Sequence, residues 1–366
     1  MADGAGSRRL RLRRLQSRLP APRSLLVYVR TFLIALGGGW LANAAGLPAG
    51  WLSGAMVAVT ISVFTPIEVR VPPRILDLLL ILLGVILGSG VTPEIVDKVW
   101  LWPLSLAGLL VSVVAVTFAV QTFLVRVAGW DRRTAFFAAL PGALSYAVAL
   151  ATINGADVRR VAVGQSVRLF LLVALIPMLV ARIEPISSEP VVRSVAEPVT
   201  LVALIVASLA GSLVFVYLRL PAAFLSGALL VSGAAHGTGL IDGGFPDWLL
   251  VATYVALGAM IGCRFLGTSL AFLSRTAAAS VGAFLIALVV AGAIAALVAS
   301  LVDAPLAQIL VAFAPGGLDA MTALALALHL DTAFVAVHQL VRFIAIAVLA
   351  PFATRALFGR PQLKKD

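Results

Sequence analysis

The sequence predicts an all-α polytopic membrane protein made of two inverted repeats of about five crossings each. Three observations support this fold class: an apolar composition, an internal duplication and a swap of loop charges between the two halves. Of the 366 residues, 61% are hydrophobic and 12% are charged, which is too apolar for a soluble globule. Apolar runs such as 101–125 and 277–302 reach the roughly 20 residues that a helix needs to cross hydrocarbon.

The duplication is read from motifs that occur twice in the same order. Residues 47–55 read LPAGWLSGA and residues 220–228 read LPAAFLSGA, at an offset of 173 residues. Between 141–177 and 315–351 the offset is 174, and 15 of the 37 positions are identical. The shared residues include Pro, Gly, Asp, Gln and Arg, which coincide by chance far less often than Ala or Leu. The two halves are therefore homologous.

Loop charges predict that the two halves have opposite orientations, because Lys and Arg near helix ends mark the cytoplasmic side. Both termini are basic, so the number of crossings should be even. Two loops of the first half carry positive charge, and the corresponding second-half loops carry only acids. The first set is Arg70, Arg74, Arg126, Arg132 and Arg133; the second is Asp242, Asp247 and Asp303. A charge bias that swaps sides is typical of an inverted repeat.

The predicted organisation follows from these patterns. It consists of a basic cytoplasmic tail (1–24), membrane repeat 1 (25–182), a linker (183–195), membrane repeat 2 (196–356) and a second basic tail (357–366). The first repeat contains six apolar segments, at 25–46, 48–65, 75–92, 101–125, 134–153 and 158–181. Because an inverted repeat needs an odd number of crossings, one segment in each half should not cross fully.

The fifth segments, 134–153 and 306–328, are the best candidates for this exception. They contain Pro141-Gly142 and Pro315-Gly316-Gly317 near their middle, and such residues remove a backbone donor and free the dihedral angles. We expect discontinuous or re-entrant helices there. Broken backbone at membrane depth is tolerated inside protein or along an aqueous cavity, so these segments mark the predicted functional site.

Two arginines are expected near the bilayer midplane. Arg168 and Arg342 each follow an aspartate, Asp157 or Asp331, by 11 residues in an apolar helix, about 16 Å along its axis. A buried Arg at this depth needs a partner. In one interpretation the pair faces a cavity and traps an anion. In the other, each Arg neutralises the carbonyl end of a broken helix or pairs with Asp319, Asp157 or Asp331. Gln165 and Gln339 precede the arginines by three residues and belong to the same candidate site.

Asp319 and His338 break the symmetry of the repeats. Asp319 stands opposite Ser145 at the expected start of a half-helix, where an acid favours the helix dipole; it is also a candidate carrier of a coupling proton or sodium ion. His338 stands opposite Gly164, one turn before Arg342. It is interpreted either as a proton relay or as a hydrogen-bonded interior histidine.

Enzymatic chemistry finds little support in the sequence. The three histidines lack metal-ligand spacing, the single Cys263 excludes an internal disulfide, and no phosphate-binding loop or nucleophile elbow occurs. We therefore expect no catalytic activity, no metal site and no cofactor.

The repeated LPAxxLSGA motif, the sequence PGGLDAM at 315–321 and the sequence VAVHQLVR at 335–342 resemble the bacterial AbrB-type membrane family over about residues 30–355. Members of that family carry a membrane duplication and are often labelled ammonia monooxygenases or regulators of gene expression. The resemblance implies neither activity here, because copper-ligand clusters are absent and the soluble regulator of the same name is a small β-rich protein. The family is similar in organisation to the cation/proton-antiporter and anion-transporter group, which favours transport.

The functional prediction is a secondary transporter of a small anion or organic acid in the bacterial inner membrane, with both termini cytoplasmic. Its expected partners are the lipid bilayer, a small anionic solute and a coupling proton or sodium ion; no nucleic acid is expected, and a homo-oligomer is compatible with the sequence. The alternative is a membrane sensor or regulatory protein that influences gene expression through its basic N-terminal tail.

Overall fold

The structure, a computed structural model, describes residues 22–142, 144–183, 195–220 and 222–359. Within these ranges all regular secondary structure is helical, which confirms the predicted all-α class. Most of the predicted tails and linker (1–21, 184–194 and 360–366) lie outside the described residues.

The first half of the chain forms eight α-helices: α1 (Pro22–Ala44), α2 (Gly50–Val63), α3 (Pro73–Gly88), α4 (Pro93–Lys98), α5 (Pro103–Arg126), α6 (Arg132–Ala139), α7 (Leu144–Ile153) and α8 (Val158–Ile183). The second half forms seven: α9 (Pro198–Tyr217), α10 (Ala223–Gly237), α11 (Asp247–Gly262), α12 (Leu270–Ala299), α13 (Leu306–Phe313), α14 (Leu318–Ala327) and α15 (Thr332–Phe358). Short 3-10 turns follow α4 (Val99–Leu101) and α11 (Cys263–Phe265). The short α4 was not among the predicted segments.

Local sequence explains where several of these helices begin. Ala49 and Ala222, the equivalent alanines of the repeated LPA motif, adopt left-handed backbone angles (φ 53° and 49°) and turn the chain into α2 and α10. Proline occupies a first-turn position in α3, α5 and α9, where its missing N–H costs nothing.

Helix length and exposure identify a membrane protein. In the described part of the chain, seven helices are long and apolar enough to span a bilayer: α1, α5, α8, α9, α11 with its following turn, α12 and α15. Large apolar side chains such as Phe118 (71% exposed) and Val289 (68% exposed) face outward, as lipid contact requires. The 14 residues of α2 reach only about 21 Å, less than the roughly 30 Å of hydrocarbon.

The two repeats interlock instead of standing side by side. Helix α3 packs along α10, and α11 packs along α2. A Cβ placed on Gly84 would lie 2.5 Å from the Leu225 carbonyl oxygen, and one on Gly258 would lie 2.6 Å from that of Leu52. One turn later, Gly88 meets Ser232, so α3 and α10 run parallel. These glycines allow the helix backbones to approach closely.

The equivalent helices α5 and α12 pack against each other in antiparallel orientation. Gly108 near the start of α5 contacts Val298 near the end of α12, and Gly282 contacts Phe123 near the end of α5. The two contacts are related by the same 174-residue offset that relates the repeats, to within one residue. The pairing therefore has approximate two-fold symmetry.

The fifth segment of the first repeat forms a hairpin of two half-length helices. Its ends are held together, because the Asp157 amide donates to Thr134 Oγ1 over 2.8 Å and Arg133 donates to the Asn154 carbonyl oxygen over 3.1 Å. With 8 and 10 residues, α6 and α7 reach only about 12 Å and 15 Å. The chain thus turns back midway, and α13 and α14 repeat these lengths.

We predict that Gly84→Ala and Gly258→Ala each lower the free energy of unfolding, because a methyl group there collides with the backbone of the facing helix. Overpacking of this kind costs about 1–3 kcal/mol. Thermal unfolding followed by the loss of monodisperse protein in detergent measures the effect. Gly37→Ala is the matched control, since a Cβ there meets nothing within 4 Å; equal melting temperatures for all three variants would contradict the interlocked packing.

Candidate binding site between the two helix breaks

The two interrupted helices meet at the centre of the molecule. Helix α6 ends at Ala139 and α7 begins at Leu144, while α13 ends at Phe313 and α14 begins at Leu318. Gly142 has φ +90°, and a Cβ placed on it would lie 2.9 Å from the Gly316 carbonyl oxygen. The breaks predicted from Pro141-Gly142 and Pro315-Gly316-Gly317 are therefore in direct contact.

In the first repeat, Gln165 and Arg168 donate to the carbonyl end of α6. Gln165 Nε2 lies 2.9 Å from the Phe137 oxygen, and Arg168 Nη2 lies 2.9 Å from the Leu140 oxygen. A longer contact of 3.5 Å joins Arg168 Nη1 to the Ala138 oxygen. Arg168 is 5% exposed, so its charge is held among backbone dipoles and not in solvent.

The second repeat has the same arrangement with more contacts. Gln339 Nε2 donates to the Val311 and Ala312 oxygens over 3.1 and 3.0 Å. Arg342 donates to the Ala314 and Gly316 oxygens, each over 2.5 Å, and to Gln339 Oε1. The last carbonyls of a helix have no partner within it and carry partial negative charge. The Gln and Arg of each repeat supply the missing donors and the opposite charge.

This geometry matches the interpretation in which each Arg neutralises a broken helix end. Pairing of Arg168 or Arg342 with Asp157, Asp331 or Asp319 is not observed among the described residues. Asp157 instead lies 3.3 Å from Arg160 and accepts from the Arg160 amide over 3.0 Å. Asp331 accepts from the Phe334 amide over 3.0 Å. Both aspartates cap the starts of α8 and α15 and are not brought to the breaks.

The His338 ring lies next to the end of α13, with its centroid 6.3 Å from that of Phe313, but its hydrogen bonds go to other groups. The His338 ring bonds to Ser105 Oγ over 2.9 Å and to the Phe334 carbonyl oxygen over 2.8 Å. It stacks on the Phe334 ring with centroids 3.9 Å apart and is fully buried. Ser145 is exposed near the start of α7.

Arg264 is a site residue that the sequence reading missed. It follows α11 in the turn Cys263–Phe265, and its Nη2 lies 3.4 Å from Asp319 Oδ2. In the sequence, Arg264 lies between two apolar segments and has the character of a loop charge. A signal was present, because Arg264 stands two residues after the repeated Leu-Gly-x-x-x-Gly motif, where the first repeat has Gly90.

A small cavity lies where these elements meet. Its lining includes Gly142, Gln165, Arg168, Arg264 and Gly316–Gly317. Its volume of about 20 Å³ is room for about one water molecule. Larger solutes would therefore require the two breaks to separate. In the described residues no group of three or more His, Cys, Asp or Glu side chains could hold a metal ion.

Outside the membrane-spanning helices, Asp131 caps the start of α6 and accepts from the Thr134 amide over 2.9 Å. Burial acts to raise the pKa of Asp131, but hydrogen bonds from Thr134 and nearby amides outweigh it, so the pKa is lowered. The charged cap stabilises the start of α6, the end of the helix that lies away from the break.

We predict that Arg342→Met strongly destabilises the folded protein, because the Gly316 carbonyl oxygen loses its donor inside the protein and the Ala314 carbonyl oxygen loses a charged one. Each buried carbonyl left unsatisfied costs about 1–3 kcal/mol. Thermal unfolding in detergent measures the change, with Arg355→Met on the same helix as the control, since Arg355 is exposed near its end. Arg342→Lys should lie between the two; if Arg342→Met melts with the wild type, the capping role is wrong.

The family described as "Transition state regulatory protein AbrB" matches residues 51–358 of the chain. Among its relatives, the "Uncharacterized protein YhjN" of Bacillus subtilis (strain 168) is 28% identical over 363 residues, which cover 91% of this chain and 94% of the relative. The "Putative regulator AbrB" of Escherichia coli (strain K12) is 28% identical over 320 residues, covering 84% and 90%.

No solved structure matches the chain. The family match spans most of the sequence, both relatives are covered over nearly their whole length, and the duplicated motifs lie in the matched region. The chain belongs to the AbrB family.

Proposed function

We propose that this protein is a secondary transporter that carries a small anion or organic acid across the bacterial inner membrane. The observation that carries the proposal is the contact between two interrupted helices, Gly142 against Gly316, beside a small cavity lined in part by Arg168 and Arg264. Broken backbone at this depth would be a needless cost in a purely structural bundle. Transporters use such breaks to expose helix ends to a solute.

Inverted repeats are the second part of the proposal. Each repeat has five long or medium helices and one hairpin that turns back, so an odd number of crossings per repeat is consistent with the helices. The antiparallel packing of α5 and α12 supports inversion, because repeats related by an axis along the membrane normal would place equivalent helices parallel. The parallel pairs α3 with α10 and α2 with α11 are consistent with the same topology.

Positive charge at one end of the molecule supports a cytoplasmic location for both termini. Contacts of Arg133 with Asn154, of Arg159 with the Phe272 ring and of Arg160 with the Trp130 ring bring four loop and helix ends together. Six arginines gather at these ends: Arg126, Arg132, Arg133, Arg159, Arg160 and Arg275. Their equivalents in the other repeat are uncharged: Ser300, Leu306, Ala307, Ala333, Phe334 and Leu101. An excess of Arg in short loops favours the cytoplasmic side.

The charge around the cavity favours an anionic solute. Arg168, Arg264 and Arg342 lie at or next to the breaks, and Asp319 is the acid beside them. The half-helices α7 and α14 also begin there, and helix N-termini carry partial positive charge. A cation would meet net repulsion, whereas an anion would not.

We predict that the purified protein in liposomes takes up small anions. Uptake of labelled organic and inorganic anions should exceed that of empty liposomes, and Gly142→Leu should abolish it by filling the space between the breaks. Gly46→Leu is the control for backbone strain, because Gly46 also has a positive φ (+72°) but a Cβ there meets nothing within 4 Å. If neither the folded wild type nor folded Gly46→Leu takes up any anion, anion transport is ruled out.

We predict that the turns before α6 and α13 lie on opposite sides of the membrane. In a Cys263→Ser background, a membrane-impermeant maleimide should label Arg132→Cys only from the cytoplasmic side and Asp303→Cys only from the outside. Both positions are exposed. Labelling of both cysteines from one side would disprove the inverted topology while leaving transport open.

A regulatory role is the second candidate, because one relative is named a putative regulator and the basic N-terminal tail could contact a cytoplasmic partner. Deleting residues 1–21 separates the two functions. Loss of a gene-expression phenotype with uptake intact would favour regulation. Unchanged expression with a requirement for Gly142 would favour transport.

A further inference from the structure

The ion pair between Arg264 and Asp319 is built into only one of the two repeats. At the 174-residue offset their equivalents are Gly90 and Ser145, neither of which is charged. By contrast, the Pro-Gly breaks and the Gln and Arg that cap them occur in both repeats. The pair is therefore not part of the duplicated scaffold.

The first repeat shows that the fold does not need an ion pair at this position. Gly90 packs closely against the Thr332 side chain, and Ser145 is exposed, so the first repeat folds without a charged pair at these positions. In the second repeat, the Arg264 and Asp319 side chains are 22% and 17% exposed. The ion pair is therefore partly accessible.

Arg264 differs from the other arginines in how many donors it uses. Arg168 and Arg342 each donate to two or more carbonyl or amide oxygens. In the described part of the chain, the hydrogen bond of Arg264 is a single 3.4 Å contact with Asp319. Close Arg–carboxylate pairs are often bidentate at about 2.7–2.9 Å, and a guanidinium has five N–H donors. Arg264 therefore retains donors that face the cavity.

The Asp319 carboxylate lies close to the backbone of the break. A Cβ on Gly317 would lie 2.5 Å from Asp319 Oδ1, so the glycine leaves space for the carboxylate beside the break. The carboxylate thus occupies the position from which a solute carboxylate could bind Arg264.

We propose that Arg264 binds the carboxylate of a small monocarboxylate solute, and that Asp319 occupies Arg264 until a proton neutralises it. This inference rests on the proposed transport function. Asp319 takes up one proton and becomes a neutral acid, and Arg264 transfers its ion pair to the carboxylate of the solute. One proton enters with one negative charge, so the charge of the site is unchanged and transport is electroneutral.

The surrounding groups leave Asp319 as the acid whose protonation controls the site. Helices α8, α13, α15 and α3 pack against α14. Of these, α8 presents Arg168, α15 presents Arg342, and α13 has no charged residue. The His338 ring of α15 is bonded to Ser105 and to the Phe334 carbonyl oxygen. Helix α3 packs Ile81 and Val85 near Leu326, and its Asp77 is exposed. Helix α2, which contacts the turn of Arg264, carries no charge. Binding of a carboxylate should therefore strengthen as the pH falls.

The experiment uses the full chain in liposomes with pyruvate as the probe, and a pH-sensitive dye inside. Pyruvate uptake should rise from pH 7.5 to pH 5.5 and carry protons inward. Asp319→Asn should bind pyruvate with the same affinity at both pH values and exchange it without proton movement. Arg264→Gln should weaken binding about tenfold or more, the loss expected for a charge-assisted hydrogen bond. Arg275→Gln, which changes an exposed arginine of α12, is the control.

A double variant guards against misfolding. Arg264→Gly with Asp319→Ser reproduces the uncharged pair of the first repeat and leaves no charge unpaired, so it should fold and bind pyruvate as weakly as Arg264→Gln. If Asp319→Asn keeps the pH dependence and the proton movement, or if Arg264→Gln and the folded double variant keep wild-type affinity, the inference is wrong. Uptake of chloride but not pyruvate by the wild type would overturn the inference alone. Uptake of no anion would overturn the proposed function with it.

Discussion

The structure depends on donors for the backbone carbonyls of α6 and α13, which end inside the protein. A helix that stops at membrane depth leaves several carbonyl oxygens without water to bind, and each is costly. In each repeat one Gln and one Arg on the following long helix supply these donors. Because of these donors, the two breaks can form inside the protein and contact each other. The helix dipoles in turn balance the charge of the arginines. The same bonds tie α6 to α8 and α13 to α15.

In the proposed transporter, the carbonyl contacts of Arg168 and Arg342 limit which residues can respond to a solute. A guanidinium that holds carbonyl oxygens in place cannot release them without opening the helix end, so these arginines provide position and background charge. Arg264 has a single contact of 3.4 Å with Asp319 and lines the cavity. Under this proposal, Arg168 and Arg342 stabilise the fold and Arg264 binds the solute, so a nearly symmetric fold holds an asymmetric site.

Much of this arrangement was readable from residue patterns. The duplication predicted equivalent helices, and Pro141-Gly142 and Pro315-Gly316 predicted both breaks, because proline and glycine act on the backbone locally. Capping of a broken helix by each Arg was one of two interpretations of the sequence. The particular carbonyls that Gln165 and Arg342 bond could not be predicted, since hydrogen bonds across 25 or more residues depend on how helices pack. Arg264 was missed for the same reason: in the sequence it belongs to a loop, and only packing brings it to the break. The interlocking of α3 with α10 likewise required the structure.

That interlocking has a consequence for how the chain is made. Helix α3 is synthesised more than 130 residues before α10. During that time the surface around Gly84 and Gly88 contacts lipid instead of its partner helix. The same surface, left open, would accept α10 from a neighbouring chain as readily as from its own.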